Sequence, residues 1–241
     1  MRVEASPFDT QHYGISIGRL VAQPDSQDGP AEITAALEAA QRAGYAVVFL
    51  RLSATDRLRD AVEALGVVPV DTLVTSRLTT RAAASPPPAA VTIEHHDRIT
   101  DPDDIAAIAT LTAEVMKTSH LHADQRLPVA QTRALYAAWA TNDITGRAQR
   151  TIVARAGREV VSYITLLVDG RSVVIDLVAV AAAWHGKGIG SAMVASVVGW
   201  IADRDVVATV GTQADNPALA LYARHGFVPT HEHVTYHLWL T

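Results

Sequence analysis

Short apolar runs and helix-spaced apolar positions alternate through the first third of the chain. Asp28-Gly29-Pro30 offers a cap followed by a first-turn proline, and Ile33, Leu37 and Ala40 then fall on one helix face that Gly44 closes. Residues 45–50 form an apolar run short enough for a strand. Ser53 and Asp56 suggest a cap for a second helix with Leu58, Val62 and Leu65 on its apolar side, ended by Gly66, and residues 67–78 return as extended chain. With a strand ahead of Asp28, the predicted order is strand, helix, strand, helix, strand.

Residues 81–90, RAAASPPPAA, break this pattern. Three consecutive prolines exclude a helix interior and favour an extended spacer. We read a boundary between an N-terminal α/β domain, 1–85, and a second domain, 91–241; the same prolines also fit a stiff loop inside one domain. Beyond them the pattern restarts. A strand at 91–95 precedes a helix opened by Asp101-Pro102, with Ile105, Ile108 and Val115 on its buried side. Pro128 opens a further helix bearing Leu135 and Trp139. Residues 151–154, 160–168 and 172–180 read as consecutive strands, the last two joined by a tight turn at Asp169-Gly170. A helix from Gly188, a strand at 205–212, a helix from Pro217 and a strand at 234–240 complete the chain.

Composition narrows the function classes. The net charge of −5 argues against a general nucleic-acid binder, though a local arginine cluster still suits an anionic small molecule. There is no cysteine, which removes disulfides, thiolate metal sites and a catalytic thiol. Glu4 and Asp9 close behind Met1 do not suit a signal peptide, and the most apolar stretch, 188–202, is short of the roughly 20 residues that span a bilayer. A cytoplasmic protein without membrane association is expected.

The sharpest chemical signal follows the third strand of that run. Leu177, Val178, Ala179 and Val180 lead into His185-Gly186-Lys187-Gly188-Ile189-Gly190, and the glycines open an apolar helix with Met193, Val197 and Trp200. Glycines let successive amides point into one concavity, and the helix N-terminus adds partial positive charge, a geometry suited to a pyrophosphate. A Walker loop is excluded because Gly188, and not Ser or Thr, follows Lys187; the spacing is also not that of a dinucleotide fingerprint. A glycine turn without a ligand is the remaining alternative.

This segment resembles motif A of the GNAT acetyltransferases, with His185 where Gln or Arg is usual. Farther on, Asn216-Pro217 starts a helix that carries Tyr222 and ends in Gly226-Phe227, and this stretch resembles GNAT motif B. The resemblance implies an α/β GNAT fold. Its central mixed, mostly antiparallel sheet would be flanked by helices and preceded by a smaller, incomplete GNAT-like domain. It implies acetyl-CoA as co-substrate, held by Leu177 to Val180, His185 to Gly190 and Asn216, with Tyr222 as proton donor to the leaving thiolate. No metal is implied. His231, His233 and His237 share a strand face near Glu232, and we read them as partly exposed strand residues.

A more distant resemblance, to the dTDP-fucosamine acetyltransferases, covers the Phe8 to Gly14 segment, Thr118-Ser119-His120-Leu121-His122, and the aromatic helix containing Tyr136 and Trp139 with Asn142 and Gly146 beyond it. It implies a nucleotide-activated 4-amino-sugar as acceptor, with Ser119, His120, His122 and Tyr136 as acceptor contacts, and a homodimer. Arg147 and Arg150 are either nucleotide-phosphate donors or surface charge. Candidates for the general base are Asp176, His120 and His122. Two rival readings stand beside this one: acetylation of another amine (a peptide N-terminus, a polyamine, an antibiotic), and a CoA-binding regulatory module without turnover.

Overall fold

The computed structural model describes residues 1–21, 29–80 and 86–240; Asp28 and the first half of the proline-rich segment lie outside the described residues. The chain forms two compact units. One comprises Met1–Val74, Thr118–Thr132 and His231–Thr241, the other Thr75–Lys117 and Arg133–Thr230. Two segments distant in sequence thus group with the N-terminal residues, a division that no single cut at the prolines expresses.

In the first unit β1 (Arg2–Ala5) pairs antiparallel with β2 (Ile17–Val21), and β2 pairs parallel with β3 (Val47–Ser53). The parallel pair needs a crossover, which α2 (Pro30–Arg42) supplies. The helix starts where Pro30 can occupy the first turn and the Glu32 carboxylate accepts the Gly29 N–H at 2.8 Å. Ile33 and Ala40 are buried on its inner face and Leu37 packs beside them, as the periodicity predicts. In α3 (Leu58–Glu63), Leu58 and Val62 are buried as expected, but the helix stops before Leu65, which is 50 % exposed. A short helix, α1 (Pro7–Tyr13), was not predicted; Gly14 closes it with φ 69°. β4 (Asp71–Leu78) follows, and the second half of β10 (Phe227–Trp239) lies antiparallel to β3, from His233 opposite Ser53 to Trp239 opposite Val47. The remaining helix of this unit is α5 (His120–Ala123).

The second unit is built on an antiparallel run of β5 (Thr92–His96), β6 (Arg150–Ala156), β7 (Glu159–Asp169) and β8 (Ser172–Val180). β8 then pairs parallel with β9 (Val207–Gln213), and α7 (Ile189–Trp200) is the crossover. Ile189, Met193, Val194 and Val197 on α7 are at most 1 % exposed and pack on β6 to β9. Each contributes roughly 1.5–3 kcal/mol of burial. The helices α4 (Pro102–Val115), α6 (Val129–Asn142) and α8 (Ala218–Arg224) complete the elements, with a π-helical turn at Asp143–Arg147 after α6. Asp101 caps α4 by accepting the Asp103 N–H at 2.9 Å. Its buried residues are Ile108, Leu111 and Thr112, while Ile105 and Val115 are half-buried.

The fold is therefore α/β, a mixed sheet flanked by helices, and among the described ladders only β2/β3 and β8/β9 are parallel. Each unit contains one strand–helix–strand crossover of this kind. No described helix is long and apolar enough to cross a membrane.

Candidate active site

The parallel pair of the second unit separates part-way along. β8 and β9 are in register from Ser172 opposite Val207 to Ile175 opposite Val210, and no ladder continues between them although both strands run on. On its other side β8 keeps pairing with β7 up to Val180 opposite Ser162. Backbone groups alternate along a strand. Leu177 donates its N–H to Thr165 Oγ1 at 3.1 Å, Ala179 O accepts from Ser162 Oγ at 2.7 Å, and Ala181 N–H reaches Val161 O at 2.8 Å. These groups all face β7, so the N–H and C=O of Val178 face the gap beside β9. A β-bulge between Ile164 and Leu166 of β7 lies opposite this stretch and bends the strands there.

The glycine turn closes the end of that gap. Gly186 and Gly188 sit at φ 73° and 82°, left-handed conformations that only glycine adopts without strain, and a Cβ at either would meet nothing within 4 Å. The space over them is open. Gly188 is the N-cap of α7 and its carbonyl accepts the Ala192 N–H at 3.0 Å; the first-turn amides before that bond are the ones a helix leaves for an anion. Gly190 has a different reason to be glycine: a Cβ there would lie 3.2 Å from Leu221 Cδ2, so it lets α8 approach α7. His185 turns back, its Nε2 2.9 Å from Val180 O, and so ties the turn to the end of β8. The Lys187 ammonium rests 4.8 Å from the centre of the Trp184 ring.

Asn216 and Tyr222 flank the other side of β9 in sequence. Asn216 Oδ1 accepts the Ala218 N–H at 2.9 Å and starts α8. Tyr222 is 4 % exposed, packed edge-on to Phe227, and its hydroxyl has no hydrogen-bond partner among the described residues. Burial pushes its pKa up to about 12, so the phenol stays protonated at neutral pH. Gly226 ends the helix at φ 89°, and a Cβ there would overlap Thr80 O at 1.9 Å.

Asp176 precedes the separated stretch of β8. Its Oδ2 accepts from Trp139 Nε1 at 3.0 Å and from Arg147 Nη1 at 2.7 Å. The same Arg147 nitrogen bonds Asp143, which is fully buried and also accepts from Thr165 Oγ1 at 2.8 Å. Burial, and next the Asp176 charge, push the Asp143 carboxyl up to about 6. Two carboxylates thus share one guanidinium. Sequence reasoning missed Asp143; the i, i+4 spacing from Asp143 to Arg147 was its one local signal. Tyr136 is buried and stacks on Trp139 at 5.8 Å. Neither arginine offered as a phosphate donor is held for that role: Arg147 serves the two aspartates, and Arg150 pairs with Asp97 at 3.0 Å and lies against Trp200.

Ser119, His120 and His122 belong to the first unit, whereas the glycine turn, Tyr222, Asp176 and Tyr136 belong to the second. Ser119 caps the short helix α5, accepting the His122 N–H at 3.3 Å, and lies 3.0 Å from His122 Nδ1. His120 Nδ1 is 2.8 Å from His237 Nε2, and His237 Nδ1 is 2.8 Å from Asp124 Oδ2. His237 is 2 % exposed, which corrects the reading of it as a partly exposed strand residue; pairing of β10 with β3 turns it inward beneath Phe49. Among the described residues no group of His, Asp or Glu is arranged to hold a metal ion.

With this geometry in place, the comparisons are informative. Residues 114–227 match the acetyltransferase (GNAT) family profile. The spore coat polysaccharide biosynthesis protein SpsD of Bacillus subtilis (strain 168) is 30% identical over 141 residues, 58% of this chain and 49% of that protein, so the match spans about half the relative's length. A solved tandem GNAT protein from the clavulanic acid biosynthesis pathway, without AcCoA, gives a TM-score of 0.66 at 17% identity, covering 93% of this chain and 75% of that one. A GCN5-related N-acetyltransferase from Sphaerobacter thermophilus gives 0.68 at 14% identity, covering 99% and 76%. At such identities these structures share the fold.

Proposed function

We infer, for a chain that over residues 114–227 belongs to the acetyltransferase (GNAT) family, that it transfers an acetyl group from acetyl-CoA to the primary amine of a small molecule. The observation that carries this reading is the opening between β8 and β9 beside the left-handed Gly186–Gly188 turn. Its empty Cβ positions suit the close approach of a pyrophosphate, and the outward N–H and C=O of Val178 suit the amide-bearing arm that follows. The contacts from Leu177, Ala179, Val180, His185, Lys187, Ile189, Gly190 and Asn216 belong to the same proposal.

Acetyl-CoA supplies an acyl group on a thiol leaving group. The chain's own residues then have three tasks: to hold the donor, to stabilise charge on the departing sulfur, and to take a proton from the amine. Tyr222, protonated and without a competing partner, suits the second task. For the third we favour Asp176 over His120 and His122, because it lies in the unit that carries the glycine turn. The Asp143–Arg147–Asp176 cluster holds two carboxylates against one cation, and of the two carboxylates Asp143 is fully buried while the Asp176 side chain keeps 15% of its surface exposed. From that position Asp176 takes the amine proton, directly or through water.

We take the acceptor to be an amino-sugar, preferably nucleotide-activated. The name of the Bacillus subtilis relative, a spore coat polysaccharide biosynthesis protein, supports a sugar, and so does the resemblance around Ser119, His120, His122 and Tyr136. Mass spectrometry of products from acetyl-CoA and a panel of dTDP-amino-sugars, polyamines, peptides and aminoglycosides tests this. Acetylated dTDP-4-amino-sugar is the expected product. Acetylation of another amine only would overturn the acceptor. Binding of acetyl-CoA with no product and no thiol release across the panel would favour the regulatory module.

A further inference from the structure

The first unit holds a cavity of about 270 Å³ at the end of its parallel strand pair. Arg19, Phe49, Arg51, His120 and Thr235 are among the residues that line it. Both arginines are anchored: Arg19 by Asp9 Oδ2 at 2.9 Å and Ser6 Oγ at 3.2 Å, Arg51 by Thr235 Oγ1 at 3.2 Å. Two guanidiniums held in place on one small cavity make a site for an anion.

The third polar group is set by the chain of bonds behind it. Asp124 accepts from Arg126 Nε at 2.9 Å, from Trp239 Nε1 at 2.8 Å and from His237 Nδ1 at 2.8 Å. Burial opposes its ionisation, but these bonds, Arg126 first, hold the Asp124 carboxyl well below the usual carboxylate range. A carboxylate has no proton to give, so His237 Nδ1 is the donor. Burial keeps His237 neutral, its pKa lowered, so its Nε2 is an acceptor and His120 Nδ1 must donate to it. Assigned from this network, His120 Nε2 carries a lone pair. Burial, and then the positive charges of Arg51 and Arg19, keep His120 neutral as well. Phe49 stacks on His237 with ring centres 4.1 Å apart and meets His120 edge-on at 5.3 Å, fixing both rings.

We propose that this cavity binds a small molecule that offers an anionic group to Arg19 and Arg51 and an O–H or N–H donor to His120 Nε2. The volume lies just below the roughly 300 Å³ at which drug-sized pockets begin, so the occupant is of monosaccharide-phosphate or amino-acid size and not a whole nucleotide-sugar. His237 and Asp124 are positioning residues that hold His120 in the accepting tautomer. His120 is shared with the acceptor reading above, and binding measured without acetyl-CoA reads this cavity separately from acetyl transfer.

Calorimetry on the full chain, without acetyl-CoA, tests the site with glucosamine 6-phosphate, glucosamine, inorganic phosphate and serine. Glucosamine 6-phosphate is expected to bind about tenfold or more tightly than either of its parts, and Arg51→Gln to weaken it about 10- to 100-fold. Tighter binding of serine than of the sugar phosphate identifies the anion as a carboxylate and also supports the site. Inorganic phosphate binding as tightly as glucosamine 6-phosphate would remove the role of His120 and overturn the proposal, as would no binding of any probe at about 1 mM. The second readout needs no variant. In the wild-type protein labelled with ¹⁵N-histidine, the His120 Nε2 resonance should start as that of an unprotonated nitrogen and shift on titration. A protonated Nε2 in the free protein would overturn the assigned tautomer.

Discussion

Replacing Tyr222 by Phe separates stability from catalysis because only the second should change much. The ring and its contact with Phe227 survive, and only a hydroxyl is lost from a side chain 4 % exposed, where no described residue bonds it. The hydroxyl is not one of the buried polar atoms left without a partner, so solvent reaches it and its removal should change stability by no more than about 0.5 kcal/mol. For a chain of this size that moves Tm by no more than about 2 °C. Catalysis should suffer. With the Tyr222 pKa at about 12 and an ordinary thiol near 8.5, full proton transfer to the thiolate is uphill by about 5 kcal/mol. On the proposed reading the hydroxyl then serves as a hydrogen-bond donor to the departing sulfur, and the proton follows from solvent. Loss of one hydrogen bond to a charged atom costs about 1.5–3 kcal/mol, so kcat should fall about 10- to 150-fold, with the affinity for acetyl-CoA little changed. Thermal unfolding followed by single-turnover thiol release measures both. A variant as fast as the wild type when chemistry limits the rate would refute the role. A variant less stable than the wild type by more than about 1 kcal/mol would show that the hydroxyl holds the fold together and is not free to serve the sulfur.

Three further perturbations follow from the same geometry. Gly188→Val puts a side chain into the open space over the turn and forces a β-branched residue to φ 82°, so acetyl-CoA affinity measured by calorimetry should fall more than tenfold, and an unchanged affinity in a folded variant would defeat the pyrophosphate assignment. Gly226→Ala must displace the Thr80 carbonyl and should cost at least about 3 kcal/mol in urea unfolding, whereas Gly199→Ala, a helical site with open space, should be neutral or stabilising by up to about 1 kcal/mol. Asp143 titrates near 6 when folded and near the ordinary value of about 3.9 when unfolded, so between those values the folded state holds more protons and this group's contribution to stability falls as pH rises. Asp143→Asn should remove that part of the slope between about pH 4 and pH 6, and equal slopes for the two proteins in denaturant titrations would show that Asp143 is not perturbed.

The elements that sequence revealed were those whose pattern is local. α2 is legible because Ile33, Leu37 and Ala40 recur at helical spacing between a first-turn proline and a closing glycine. The β7–β8 hairpin is legible because two apolar runs flank Asp169-Gly170. α1 escaped because its seven residues carry too few apolar positions to show a period, and Leu65 was misplaced because Ala64 and Gly66 do not reveal where α3 frays. The grouping of residues 118–132 and 231–241 with the N-terminal unit was illegible for a different reason. It depends on which strands lie beside β3, and a single strand's apolar pattern does not say what its neighbour is.

The site divides along the same line. The shape of the glycine turn and the bounds of the helix after Asn216 were readable because they rest on backbone conformation: left-handed φ at Gly186, Gly188 and Gly226 can be met without strain only by glycine. The carboxylate cluster was not, because it depends on register. Thr165 reaches both Asp143 and the Leu177 N–H because the bulge between Ile164 and Leu166 adjusts how β7 faces β8. A slip of one residue in either strand would turn Thr165 to the opposite face and leave Asp143 buried without that donor. His237 obeys the same rule in the first unit. Its alternation with His231 and His233 suggested a surface face, but opposite Phe49 on β3 the alternating positions of β10 pass from exposed at its start to buried at its end. One strand therefore carries two environments for the same residue type. What decides between a solvated imidazole and one that accepts from His120 and donates to Asp124 is the length over which β10 runs beside β3, a property of the pair and not of either sequence alone.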